Sequence, residues 1–115
     1  MPCINVKLNF KVNDDQKKNL LSKLADAVSE VTGKPKQYIM VIVEDDVTMT
    51  LGGGDEHCAF LDYRQVGAVN GNTNKKASKA FTRVLENELM LNPQKVYINF
   101  TGFAGDCWGF NGDTF

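Results

Sequence analysis

The sequence predicts an α/β fold, an α+β sandwich in which two βαβ repeats form one four-stranded mixed sheet with both helices on one face. Three observations lead there. Residues 3–10 alternate strictly between apolar and polar, the period of a strand buried on one side. Two stretches carry apolar residues at helical spacing, and each stops shortly before a proline (Pro35, Pro93) that leads into a run containing Tyr-Ile. The order strand, helix, strand therefore occurs twice at similar length, an internal pseudo-repeat.

In the first strand Ile4, Val6, Leu8 and Phe10 share one face, while Asn5, Lys7 and Asn9 share the other. Asn13 follows as a helix N-cap with Gln16 at capping-box spacing, and Asp14 and Asp15 suit the positive end of the helix dipole. Leu20, Leu24, Ala27, Val28 and Val31 make the apolar stripe; Gly33 suits the C-terminal cap and Pro35 prevents resumption. "YIMVIVE" (38–44) is apolar on both sides, as central parallel strands are. A short strand is expected at "VTMTL" (47–51) and a longer one at "CAFLDYRQV" (58–66). Between them "GGG" (52–54) lacks the Lys-Ser/Thr of a phosphate loop and reads as a turn. Residues 67–74, rich in Gly and Asn, read as a linker. A second helix carries Ala77, Ala80, Phe81, Val84 and Leu85 to about Leu89. "KVYINFT" (95–101) is the last sheet strand, followed by a glycine-rich aromatic tail.

One domain of 115 residues is expected. A net charge of −1 supplies no field for nucleic acid or an anionic membrane surface. The longest apolar run, Ile39 to Val43, is far shorter than a membrane span. No charged-then-apolar leader precedes the first strand, so a cytoplasmic protein is expected, with secretion by a non-classical route as the second reading. Cys3, Cys58 and Cys107 are scattered and odd in number, and His57 is the only histidine. Neither a disulfide framework nor a zinc site follows. Lys75, Lys76 and Lys79 read as a solvated face. Right-handed crossovers place both helices on one side of the sheet. The second face is then left apolar and bare, and another copy of the chain is the natural cover.

Six stretches carry a resemblance: "MPC" at the start, "TGKPKQYIMV" (32–41), "LGGGDEHCAF" (51–60), "QVGAVNGNTNKKAS" (65–78), "VYINF" (96–100) and "WGFNGDTF" (108–115). In this order and spacing the chain resembles, end to end, the macrophage migration inhibitory factor and D-dopachrome tautomerase family of the tautomerase superfamily. The resemblance implies a homotrimer whose sheets pack into a barrel. It also implies a cofactor-independent keto–enol tautomerase acting on small aromatic keto acids of the phenylpyruvate or dopachrome type. Met1 is removed in that family and the exposed proline is the catalytic base, here Pro2. An α-amino group titrates near 8, and burial beside a cation moves it toward working pH. Lys34, in "GKP", is implied as that cation and as the partner of the substrate's oxygens. Val66 stands where the family usually has isoleucine contacting substrate through its backbone. Tyr97 and Asn99 match residues contributed by a neighbouring subunit, and Tyr38 matches the pocket mouth. Phe110 stands at the position of the pocket-wall tryptophan, with Trp108 two places earlier. Phe115 matches the family's penultimate phenylalanine.

Two departures bear on other activities of the family. "CAFL" keeps Cys58 but has Leu61 in place of a second thiol, so thiol–disulfide chemistry lacks its resolving group. The loop "FKVNDD" has no arginine, leaving Lys11 as its only cation for recognising a cell-surface receptor. Plainer uses of the same residues stay open: Lys34 as a solvated charge past a helix, Tyr97 and Asn99 as packing and a polar strand edge. Two other functions compete with the enzyme. One is a secreted signalling protein with a vestigial pocket; the other is a ferredoxin-like module for RNA or metal, which the near-neutral charge disfavours.

Overall fold

A strand whose alternate side chains differ in polarity settles with its apolar side inward, and β1 (Pro2–Leu8) does so. The computed structural model describes residues 1–115. Pro2, Ile4, Val6 and Leu8 are buried, with Cys3, Asn5 and Lys7 on the opposite face. The strand stops two residues before the expected Phe10 because the Asn9 amide diverts to a loop. Asn9 Nδ2 donates to the carbonyls of Met49 (3.2 Å) and Glu56 (3.0 Å), and its Oδ1 accepts from the Cys58 N–H (2.8 Å).

Helix α1 (Asp14–Thr32) starts on the expected capping box. Asn13 accepts from the Gln16 N–H at 2.8 Å, and Gln16 Oε1 accepts from the Asn13 N–H at 2.9 Å. It ends on Gly33 at φ 72°, whose N–H donates to the Ser29 carbonyl. Leu20, Leu24 and Val28 on its inner face are fully buried, each contributing about 1.5–3 kcal/mol.

A 3₁₀ turn at Lys36–Tyr38 delays β2 (Met40–Glu44) by two residues relative to the sequence pattern. The short strand expected at 47–51 does not form. Asp46 adopts φ 55°, so the chain leaves β1 after two backbone bonds, Asp46 to Phe10 and Val47 to Leu8. No ladder follows. Next come β3 (Ala59–Val66), helix α2 (Gly71–Leu89) and β4 (Val96–Phe103). Helix α2 takes in the second half of the expected linker. Asn70 caps it by accepting from the Thr73 N–H at 2.9 Å, so the Gly/Asn run contains a helix start rather than a flexible connection.

The sheet order is β2-β1-β3-β4, with β1 parallel to β2, antiparallel to β3, and β3 parallel to β4. Two βαβ units thus meet at the β1–β3 pair, giving the expected mixed four-stranded sheet. The helix side is closed by Ile4, Val6, Leu61 and Tyr63 from the sheet against Leu20, Leu24, Phe81 and Leu85 from the helices.

The other side carries no helix. "YIMVIVE" is an edge strand there, not a central one, because β1 takes the centre. Within the protomer Val41 and Val43 are half-buried, while Met40 is 60% and Ile42 36% exposed. Tyr97 on β4 is 63% exposed on the same side. Asn5 Oδ1 is nevertheless buried and has no hydrogen-bond partner. His57 is exposed and stacks on Phe10, with ring centroids 4.0 Å apart. No helix is long and apolar enough to cross a membrane.

Tyr63 lies in the core, its hydroxyl donating to Gln65 Oε1 at 2.7 Å, and burial pushes its pKa from 10.0 up to about 12. Its neutral form is favoured by the fold. The stability this confers is fully present below pH 10.0 and is lost as pH rises toward about 12. An ultraviolet titration should show one of the three tyrosines ionising last, with chemical stability falling through that window. Three tyrosines titrating together near their ordinary value would contradict this packing.

Candidate functional site

Where β1 begins, three parts of the chain converge on a cavity of about 700 Å³. The first three residues form one wall, and the segment Gln37 to Met40 forms a second. They meet because β1 and β2 pair in parallel register, Cys3 opposite Met40. Arg64 joins from β3, opposite Cys3 on the other edge of β1. Phe103, at the end of β4, and the stretch Cys107 to Phe110 close the third side.

That third side is a small folded unit. A 3₁₀ turn at Gly105–Cys107 leads into β5 (Gly109–Phe110) and β6 (Asp113–Thr114), an antiparallel pair. Asn111 and Gly112 turn between them at φ 54° and 75°, the left-handed pair that a two-residue hairpin requires. The Phe115 N–H donates to the carbonyls of Gly105 (3.1 Å) and Trp108 (3.3 Å), tying down the tail. Aromatic rings then line up. Tyr38 meets Phe110 edge-on at 6.1 Å, Phe110 stacks on Phe115 at 5.7 Å, and Phe103 lies 6.0 Å from Trp108.

The electrostatics centre on the chain's start. The Met1 ammonium titrates below its ordinary value, first because burial disfavours its charge and second because Lys34 repels it. Lys34 is held by both backbone groups. Its N–H donates to Thr32 Oγ1 (3.3 Å), and its carbonyl accepts from Ser29 Oγ (2.8 Å). Arg64 is the one charged side chain on the cavity wall, and it donates twice to Asp62 Oδ2, from Nε at 3.1 Å and Nη2 at 2.8 Å. Those bonds hold the Asp62 carboxyl below the usual carboxylate range, with Asn99 adding to the effect.

The family model of macrophage migration inhibitory factor matches residues 1–115. The macrophage migration inhibitory factor of Meriones unguiculatus is 36% identical over 96 residues, 84% of each chain. That of Mus musculus is 37% identical over 95 residues, 83% of each chain. The solved macrophage migration inhibitory factor of Toxoplasma gondii superposes with a TM-score of 0.93 at 26% identity, over 98% of this chain and 99% of that one.

The chain belongs to the macrophage migration inhibitory factor family.

Of the residues that this family resemblance singles out, Pro2, Tyr38 and Phe110 line the cavity together. Lys34 stands outside the wall and acts on the terminal amine through its charge. Val66 is also behind the wall, its N–H donating to the Met1 carbonyl at 3.3 Å. The Gly67 N–H donates to Phe103 at 2.8 Å, an approach so close that a Cβ on Gly102 would run into the Gly67 carbonyl. Tyr97 and Asn99 do not reach the cavity of their own protomer. They lie on the helix-free face of β4, Asn99 Nδ2 donating to Asp62 Oδ1 (2.9 Å) and Thr101 Oγ1 (2.7 Å). Arg64, Cys3 and Phe103 escaped the sequence reading, because only the β1–β3 and β3–β4 registers place them at one end. The terminal hairpin did leave a signal, the dipeptide Asn111-Gly112.

The three thiols occupy different environments. Cys58 is buried, Cys107 is exposed, and the Cys3 thiol is pushed up by burial despite the Arg64 guanidinium. A thiol-exchange reagent should label Cys107 promptly and Cys3 slowly, faster as pH rises toward 9.0, and should reach Cys58 only after unfolding. Mass mapping of the labelled peptides reads the order. Equal rates for Cys58 and Cys107 in native protein would refute it.

Proposed function

We propose that this chain is a cofactor-independent keto–enol tautomerase for small aromatic keto acids, working through Pro2 once Met1 is removed. The observation that carries the reading is the depressed ammonium at the chain's start, on the wall of an apolar cavity. Removing Met1 transfers that amine to Pro2, whose ring is fully buried at the same place. With Met1 attached, the Pro2 nitrogen is an amide with no basic lone pair.

The proposed step needs two groups. Uncharged Pro2 nitrogen takes a proton from the carbon next to the substrate carbonyl, and the electron pair of that C–H bond forms the enolate. Lys34, whose charge already reaches the terminal amine from beyond the wall, stabilises the charge that develops on oxygen. Protonated Pro2 then returns the proton to that oxygen, giving the enol, and the reverse sequence gives the keto form. The rings of Tyr38, Phe110 and Trp108 suit an aryl substituent.

A homotrimer completes the site in this reading. Its support is the helix-free face, with exposed Met40, Ile42 and Tyr97 and the buried, unpaired Asn5 oxygen that a neighbouring copy would satisfy. Tyr97 and Asn99 then belong to the neighbour's cavity. Secretion and receptor binding form the second reading, with Lys11, 81% exposed and 4.0 Å from Asp46, as the one cation of its loop.

Protein lacking Met1 should convert phenylpyruvate, and Pro2→Gly should lower kcat/KM by about 100-fold or more. Equal turnover by the variant ends the proline mechanism. Co-expressing Pro2→Gly with Tyr97→Ala/Asn99→Ala subunits in equal amounts should restore about a quarter of wild-type activity, since one site in four takes both intact parts. No recovery from two separately inactive chains would remove the shared site.

A further inference from the structure

The cavity is apolar on most of its surface, yet one charged side chain lines it. Arg64 reaches that wall from the helix-free face of β3, with its side chain still 56% exposed. The protein itself bonds only part of it. A guanidinium has five N–H donors. Two of them, on Nε and Nη2, share the single acceptor Asp62 Oδ2. Asp62 is itself fixed from the other side, its Oδ1 accepting from Asn99 Nδ2, which is also bonded to Thr101. All four residues stand on two paired strands, Asp62 opposite Asn99 and Arg64 opposite Thr101. The guanidinium head is therefore oriented by a chain of bonds on a rigid sheet. Its remaining edge, between Nη1 and Nη2, has no acceptor in the protein. That edge offers two parallel N–H bonds, the bite that fits the two oxygens of a carboxylate.

We propose that Arg64 is the carboxylate anchor of the cavity, and that Lys34 is thereby left to the oxygen on which charge develops during proton transfer. The division follows from position. Lys34 lies behind the wall, where its charge reaches the terminal amine. Arg64 lies on the wall, in register with Cys3, one residue from Pro2. A 2-oxo acid held by its carboxylate at Arg64 presents its neighbouring carbonyl and the acidic C–H beyond it toward the chain's start. The ligand class is a small monocarboxylate with an apolar or aryl body. A phosphate dianion fits poorly, because one guanidinium already shared with Asp62 would leave uncompensated charge against apolar walls. The reaction in this assignment rests on the tautomerase reading; the carboxylate site does not.

Trp108, the only tryptophan, lines the cavity and reports occupancy without turnover. Its emission is followed while Met1-free protein is titrated with 3-phenylpropionate and, separately, with 3-phenylpropionamide, which has the same shape and no charge. Wild type should prefer the acid by about tenfold, the gain from a charge-assisted hydrogen-bonded pair. Arg64→Gln combined with Asp62→Asn removes the cation without leaving Asp62 unpaired. It should bind acid and amide alike, with amide affinity unchanged. Arg64→Lys should keep part of the preference, having charge without the fork. The anchor is overturned if the doubly neutral variant keeps the wild-type preference. It is overturned equally if acid and amide weaken together, the mark of a disturbed wall. A wild type that prefers the acid but turns over no phenylpyruvate removes the tautomerase reading and leaves the anchor in place.

Discussion

The position of β1 between two different neighbours is the constraint on which the rest depends. It pairs in parallel with β2 and antiparallel with β3, so its first residues meet the start of one strand and the end of another at once. Nothing else brings the chain's start, the Lys36–Tyr38 turn and Arg64 to one place. Burial of Ile4, Val6 and Leu8 against both helices fixes the register, because a slip of one residue would turn Asn5 and Lys7 into the core. The cavity is thus a consequence of core packing, formed where the last buried residue of the alternation, Pro2, runs out of strand.

Electrostatics at the two sides of that cavity are handled differently. At the amine, burial and a second cation both work against charge, and the group moves toward neutrality. At Arg64, the charge is kept and oriented by a carboxylate that accepts from two residues. One wall therefore favours a base and the other an anion, which is the polarity that a carbonyl acid with an acidic C–H would need. The aromatic rings between them supply contact area without adding charge.

The two faces of the sheet are unequal in a way that bears on assembly. The helix face is closed, while the opposite face exposes Met40 and Tyr97 and yet buries an unpaired oxygen on Asn5. A lone protomer carries both costs, apolar area in water and a polar atom without water. A second copy of the chain on that face would remove both at once. The positions of Tyr97 and Asn99, away from their own cavity, fit the same arrangement.

The sequence by itself determined the element types, because alternation in 3–10, the stripes of both helices and the caps at Asn13 and Gly33 are local and mutually consistent. Its motifs also carried the family, and with it three residues that line the cavity, Pro2, Tyr38 and Phe110. Tertiary structure decided what local pattern could not. The alternating "VTMTL" lost its ladder when Asp46 turned the chain and Asn9 captured the Met49 carbonyl. The doubly apolar 38–44 became an edge strand, since hydrophobicity sets burial but not strand order. Arg64 and Cys3 entered the site only through cross-strand register, and no spacing along the chain encodes a pairing between residues 61 positions apart. The physical reason is the same each time: helices and caps are made by neighbours in sequence, whereas a pocket at the end of a sheet is made by neighbours in space.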